Sequence, residues 1–197
     1  MSTGYKGSYN FTCRGHKFEI GQTYELKEKP IICQYGFHYC QNAIDVLKYY
    51  PIAHEFRLLE IEDLSKNTKT ENNKSVTNKI RIIREIPKEE YYQLFGIVNN
   101  QLKITDEFGW TKYTYDERNN QISFKNSNGF SIRYEYDKNN KQIYSENSRG
   151  EWVKHEYDQF GRKKHSKFSD GNYASYYYNS DGKLIESFNS RFSHIKV

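Results

Sequence analysis

A fixed period runs through the second half of the chain and limits its fold more than any other feature. Asp116, Asp137, Asp158 and Asn179 fall at intervals of 21, as do Ser127, Ser148, Ser169 and Ser190, and Gly129, Gly150 and Gly171. Tyr115, Tyr136, Tyr157 and Tyr178 each precede the Asp or Asn position. Ile122, Ile143 and Ile185 form another column, broken by Lys164, and Gly109 is out of step by one position. Self-similarity at a fixed period marks a repeat architecture. Within one unit, Phe130, Ile132, Tyr134 and Tyr136 alternate with Ser131, Arg133 and Glu135, the period of two that a half-buried strand requires. Asp116 to Asn119, Asp137 to Asn140, Asp158 to Gly161 and Asn179 to Gly182 supply turn chemistry. Asx side chains bond their own backbone, and Asn and Gly tolerate positive φ. Ser-x-Gly is the return turn. Each unit is therefore a β-hairpin, and four units predict about eight antiparallel strands, with a sheet edge near 188–197.

Composition supports a folded sheet with a thin core. Apolar residues are only 36%, but aromatic residues reach 17% and 19 of them are tyrosine, unlike a disordered chain. The tyrosines at 113, 115, 134, 136, 157, 176 and 178 read first as a structural ladder of cross-strand pairs. Trp110, Lys112, Arg133, Trp152, Lys154, Tyr173 and Tyr177 are expected on the opposite face, an aromatic and basic candidate contact surface.

Residues 1–100 have a different texture and hold all three cysteines and all three prolines. A helix is predicted over Gln41–Pro51, with Asn42 as cap and Pro51 as stop, and a second over Pro87–Gly96. Strands are predicted at Phe18–Ile20, Phe56–Ile61 and Lys79–Ile86, and an exposed loop at Leu64–Asn78, which is rich in Ser, Thr, Asn and Lys. The expected fold class is thus α+β: a small α+β domain over 1–100, then a β-hairpin repeat domain over 101–197. Cys13, His16, Cys33, His38 and Cys40 are residue types that suit zinc. Their spacing is irregular, and small buried hydrophobes are the stronger reading of the cysteines. No metal or other cofactor is expected.

Two resemblances add to this reading. The unit Tyr157-Asp158-Gln159-Phe160-Gly161-Arg162 resembles the YD repeats of Rhs and teneurin-type shells over about residues 105–190, although Asn119 and Asn140 stand where that family has Gly. The resemblance implies structural hairpins; four units are too few to close a shell. Tyr5-Lys6-Gly7, Cys13-Arg14-Gly15, Gly36-Phe37-His38 and Lys74-Ser75-Val76-Thr77 together resemble an uncharacterised domain family of bacteriophages and giant viruses. That resemblance implies a phage or prophage origin and no particular reaction. More loosely, the first half resembles ADP-ribosyltransferase folds, whose NAD-cradling positions would fall on Arg14, His38, Ser75 and Glu85. The Glu/Gln-x-Glu setting of those enzymes is missing.

Net charge is +5, with 14 basic and 12 acidic residues in 1–100 and 16 and 13 in 101–197. Arg162, Lys163 and Lys164 form the only dense basic cluster, so a nucleic-acid footprint is not written into the composition. No apolar run is long enough for a membrane span, no secretory signal core opens the chain, and three cysteines suit a reducing compartment. The expectation is a partner-binding accessory protein in the cytoplasm of an infected bacterial host. Its partner would be a host protein or ribonucleoprotein complex, as for an inhibitor of a defence system such as CRISPR. A nucleic-acid-binding module and an ADP-ribosyltransferase-like enzyme are the competing classes, and the oligomeric state stays open.

Overall fold

A computed structural model describes residues 2–190 and the backbone of 195–196. It divides into two compact units, residues 1–102 and 103–197. In the first, strands β1 (Ser2–Tyr9), β2 (Thr12–Cys13), β3 (His16–Lys17), β4 (Thr23–Glu25), β6 (Phe56–Asp63) and β9 (Lys79–Ile86) form one sheet in the order β3-β2-β1-β6-β9-β4. Strands β5 (Phe37–Tyr39), β7 (Lys69–Glu71) and β8 (Lys74–Thr77) form another, ordered β5-β8-β7. All pairings are antiparallel.

The α+β expectation is therefore wrong: the unit is an antiparallel β fold with little helix. Ala43–Lys48 is a six-residue 3-10 turn in which Asn42 makes no capping bond to the backbone; its side chain goes to Asp45 instead. The one α-helix among the described residues, α1 (Lys88–Phe95), spans eight residues. It starts after Pro87, ends at Gly96 with φ +69°, and packs Tyr91 and Phe95 on Phe56 at ring separations of 5.5 and 6.2 Å. Phe18–Ile20 is not a strand; His16–Lys17 is. The segment 64–78 is not an exposed loop either. It folds as the β7–β8 hairpin with Ser75, Val76 and Thr77 buried. Its polar composition is accommodated because Ser75 bonds Thr70 at 2.9 Å and Thr77 donates to Asp63 at 2.8 Å, so burial leaves neither hydroxyl unpaired.

Strand β6 explains where the core sits. Leu58 and Leu59 point to opposite faces of the sheet, yet both are fully buried. The run Phe-Arg-Leu-Leu-Glu-Ile is thus that of a strand covered on both sides. One face meets α1 through Phe56; the other meets Phe18, Phe37, Tyr39, Ile80 and Ile82.

The second sheet begins just after a tight turn at Asn99 and Asn100, both with positive φ. Strands β10 (Gln101–Asp106), β11 (Gly109–Tyr115), β12 (Gln121–Asn126), β13 (Ser131–Tyr136), β14 (Gln142–Asn147), β15 (Trp152–Tyr157), β16 (Lys163–Phe168), β17 (Tyr173–Tyr178), β18 (Leu184–Asn189) and β19 (Ile195–Lys196) pair strictly in sequence order. Of the expected sheet edge at 188–197, residues 188–190 and the backbone of 195–196 are described, and there β19 pairs with β18; the rest lies outside the described residues. The register itself repeats: Thr111 faces Asn126, Ile132 faces Asn147, Val153 faces Phe168 and Ala174 faces Asn189. A bulge recurs at Tyr115, Tyr136, Tyr157 and Tyr178. From three of these positions the tyrosine hydroxyl reaches back into the preceding unit, donating to the carbonyls of Gln121, Gln142 and Lys163 at 3.0, 2.7 and 2.9 Å. Each unit is stapled to the one before. The next residue, Asp116, Asp137 or Asp158, accepts two backbone N–H bonds through one carboxylate oxygen, and Asn119 and Asn140 take the left-handed φ that Gly161 takes in the third unit.

Candidate functional site

The first unit contains a cavity of about 410 Å³, and its residues come from segments far apart in sequence. Strand β1 supplies Lys6. The β2–β3 hairpin supplies Cys13 and Arg14; its two turn residues, Arg14 and Gly15, have φ +49° and +79°, the pattern of a type I′ turn. The segment around β5 supplies Phe37, His38 and Cys40, the 3-10 turn and its exit supply Lys48, Tyr49 and Tyr50, and β8 supplies Lys74. Glycines let these segments meet. A Cβ on Gly7 would lie 2.6 Å from the Tyr50 ring, and one on Gly36 would lie 2.6 Å from Val76.

Lys6 is the unusual member. It is only 3% exposed. Its ammonium donates to the His38 carbonyl at 2.9 Å and stands 5.3 Å from the centre of the Phe18 ring. Burial pushes its pKa below the usual lysine value, and the neighbouring Cys13 thiol offsets this only in part. No carboxylate lines the cavity among the described residues. A buried charge without a counter-charge is costly, and here the remaining neighbours are a carbonyl, a thiol and an aromatic face.

Two more cations act on the same spot. Arg14 donates to the carbonyls of Gln34 and Cys33 at 3.2 and 3.5 Å, and Lys74 donates to the Cys33 sulfur at 2.9 Å while lying 4.7 Å from the centre of the Tyr49 ring. Neither forms an ion pair among the described residues, whereas Lys48 is held by Asp45 at 2.8 Å. His38 reports their convergence. Desolvation lowers its pKa to about 4, and the charges of Arg14, Lys6 and Lys74 add to the depression, which the Gly36 backbone offsets in part. Its Nε2 accepts the Cys33 N–H at 2.9 Å, which places the proton of the neutral ring on Nδ1. That Nδ1 is buried, with the Gly36 backbone beside it. Tyr50 and Cys13 are joined by a 2.6 Å hydrogen bond, and burial raises the Tyr50 phenol above its ordinary pKa. Cys40 is likewise pushed up to about 11, by burial and then by Asp45.

The candidate sets read from sequence are divided by this geometry. Arg14 and His38 line the cavity; Ser75 is fully buried against Thr70, and Glu85 lies on β9 beside Arg57 at 3.2 Å, neither of them in the lining. Of the zinc-type residues, Cys13, His16, His38 and Cys40 line the cavity and Cys33 is exposed next to Lys74. Among the described residues no group of three or more His, Cys, Asp or Glu is placed to hold a metal ion. Sequence reasoning missed Lys6 and Lys74 as site residues. The available signal was a lysine in mid-strand among the small residues Gly4, Gly7 and Ser8, with no acid in that strand.

On the repeat sheet, strand alternation puts Trp110, Lys112, Arg133, Trp152, Lys154, Tyr173 and Tyr177 on the face opposite the tyrosine ladder. Trp110, Tyr173 and Tyr177 are 36%, 47% and 50% exposed. Several cations there are already engaged. Arg133 pairs with Glu146 at 2.8 Å, and Lys154 lies over Trp152 and Tyr144. Arg162, Lys163 and Lys164 do not form a continuous basic patch. Arg162 pairs with Asp158 at 2.7 Å and stacks on Phe160 and Tyr178, Lys163 is partly buried, and only Lys164 is exposed.

No helix among the described residues is long and apolar enough to cross a membrane. No curated protein matches the chain. Residues 2–94, the stretch that builds the cavity, match the family described as Domain of unknown function (DUF7666), so the N-terminal half carries a domain of an uncharacterised family.

Proposed function

We propose that the N-terminal domain binds an anionic small organic molecule in the Lys6 cavity, and that the repeat sheet is a YD-type scaffold joined to it. The observation that carries this reading is Lys6 itself: a lysine 3% exposed, on the wall of a cavity of about 410 Å³ lined by no carboxylate among the described residues. An anion entering the cavity supplies the missing counter-charge. The volume falls within the range of roughly 300–1,000 Å³ of small-molecule sites, and aromatic walls with a few convergent polar groups are their usual lining.

The test is thermal unfolding of the full chain with and without inorganic pyrophosphate, for wild type and Lys6→Met. Methionine keeps the stem and removes the charge. The variant is expected to be the more stable of the two without ligand, because an unpaired buried charge is gone, and to lose the anion-induced rise in Tm that mass action gives the wild type. An equal rise in both proteins would sink the reading.

A second reading concerns the sheet. Its exposed Trp110, Tyr173 and Tyr177, on one face with Lys112 and Lys154, support a surface for a macromolecular partner, as Tyr and Trp carry binding energy at low entropic cost. Replacing Tyr173 and Tyr177 with Ser, followed by affinity capture with and without nuclease, tests it. Capture of the same protein by the variant and the wild type would count against it.

A further inference from the structure

The cavity specifies more than a negative charge. Three cations without ion-pair partners among the described residues, Lys6, Arg14 and Lys74, converge on His38. A monovalent anion would neutralise only one of them, so the complementary group carries several negative charges close together, as a diphosphate does. The space is far larger than that group. A water molecule in the liquid takes about 30 Å³, and the cavity encloses about 410 Å³, leaving room for an organic body beside the anion. The walls indicate what kind of body. Phe37 and Tyr50 line the interior, and the exposed rings of His16 and Tyr49 line the mouth. His38, Cys13 and Tyr50 also bring polar groups to the lining, the Tyr50 hydroxyl and Cys13 thiol standing 2.6 Å apart. Such groups suit a planar ring with heteroatoms or a sugar hydroxyl; a lipid chain would offer them no hydrogen bond.

We propose that this cavity is a nucleotide site that takes a nucleoside diphosphate, with the diphosphate among Lys6, Arg14 and Lys74 and the base against the aromatic rings at the mouth. The proposal rests on the anion-binding reading above and names its ligand class.

Isothermal titration of the full chain with ADP, UDP and inorganic pyrophosphate separates the two levels. At least one nucleotide is expected to bind about tenfold or more tightly than pyrophosphate, the advantage that stacking one base on aromatic side chains gives. The double variant His16→Ala, Tyr49→Ala changes exposed side chains and is expected to erase that advantage, read as the ratio of nucleotide to pyrophosphate affinity within the same variant. Arg14→Gln and Lys74→Gln are each expected to weaken nucleotide and pyrophosphate together. Pyrophosphate binding as tightly as both nucleotides would overturn the nucleotide proposal and leave the anion site standing. Failure of all three probes to bind would overturn both.

Discussion

The two halves of this chain solve the same problem, stabilising antiparallel sheet, by opposite means. The first unit buries Leu58, Leu59, Ile61, Ile80 and Ile82 completely between layers drawn from the whole domain. In the repeat sheet, Tyr115 and Ala174 are the only buried hydrophobic residues among the described residues past Leu102. There the work falls to short-range devices: the tyrosine staple and the Asx turn, which recur along the repeats, and cross-strand ring pairs such as Tyr113 with Phe124 and Tyr173 with Phe188. A non-local core can enclose a cavity, because segments distant in sequence are forced together around it. A periodic sheet in which each unit meets only its neighbours has its side chains on two open faces. The candidate small-molecule site and the candidate surface fall accordingly.

The sharpest way to break this comparison is to change the period. Deleting residues 134–154 removes one whole repeat and joins Arg133 to His155, which preserves alternation and turn chemistry. The shortened sheet is expected to fold with one hairpin fewer. Deleting 134–153 instead joins Arg133 to Lys154, and every later side chain on that strand swaps face. Hydrogen exchange should show protection of the sheet in the first variant and its loss around the junction in the second, with the N-terminal unit protected in both. Equal protection in the two variants would mean that the period does not govern the sheet.

The core makes the converse prediction. Leu59→Ala leaves a cavity at a fully buried site and is expected to cost about 3–4 kcal/mol, a large part of a domain's total of roughly 5–15 kcal/mol. Urea unfolding followed by exchange in each unit should locate the loss in residues 1–102. A matching loss in the sheet would show that the units do not unfold independently.

What the sequence disclosed follows the same division. The hairpins were legible because every element needed for one lies within a single repeat: alternation, the Asp turn, and a residue tolerant of positive φ at Asn119, Asn140 and Gly161. The staple was not, since a tyrosine hydroxyl reaching the carbonyl of the preceding unit leaves no mark beyond the column itself. In the first unit local reasoning misassigned 64–78, because Ser, Thr and Asn signal loop until Asp63, Ser65 and Thr70 are known to satisfy them. It also lengthened the 3-10 turn at Ala43–Lys48 into a helix. The cavity was legible only as scattered motifs. Lys6, His38 and Lys74 stand on three separate strands far apart in the chain, and the small residues around Lys6 were the one local sign of its burial.

Acid should separate the units next. His38 is held to about 4 in the folded domain, below the ordinary value of about 6.5. The unfolded chain therefore takes up that proton first. Acid between about pH 6.5 and about 4 draws the first unit toward unfolding, by roughly 1–2 kcal/mol for a half-buried ring. In the sheet, burial alone would raise the Asp116 carboxyl, but hydrogen bonds from Asn120 and Arg118 outweigh it and hold the pKa below its ordinary value. Its contribution is complete above about pH 4 and is lost only in stronger acid. Stability followed unit by unit from about pH 7 to about pH 3 should show the larger early loss in the first unit, since the sheet has only the lesser depression of His155, caused by burial and then by Lys163. His38→Asn, which cannot titrate, should remove the early loss; persistence of that loss in the variant would assign it elsewhere.

The smallest expected effect isolates the staple. Tyr157 and Tyr134 lie on the same face of the sheet, and burial raises the pKa of both phenols. Among the described residues, only the Tyr157 hydroxyl of the two has an acceptor, the Gln142 carbonyl at 2.7 Å. Removing both oxygens by Tyr→Phe leaves ring packing unchanged and tests the bond alone. Tyr157→Phe is expected to cost about 1 kcal/mol, the net worth of one intramolecular hydrogen bond plus the acceptor it leaves unpaired. Tyr134→Phe should be close to neutral, since no partner is lost. The difference, read from chemical denaturation of the sheet, measures how much of its stability comes from the inter-unit bond. Equal costs at the two positions would return the tyrosine column to ring packing and leave the coupling between repeats to the Asx turn and the backbone ladder.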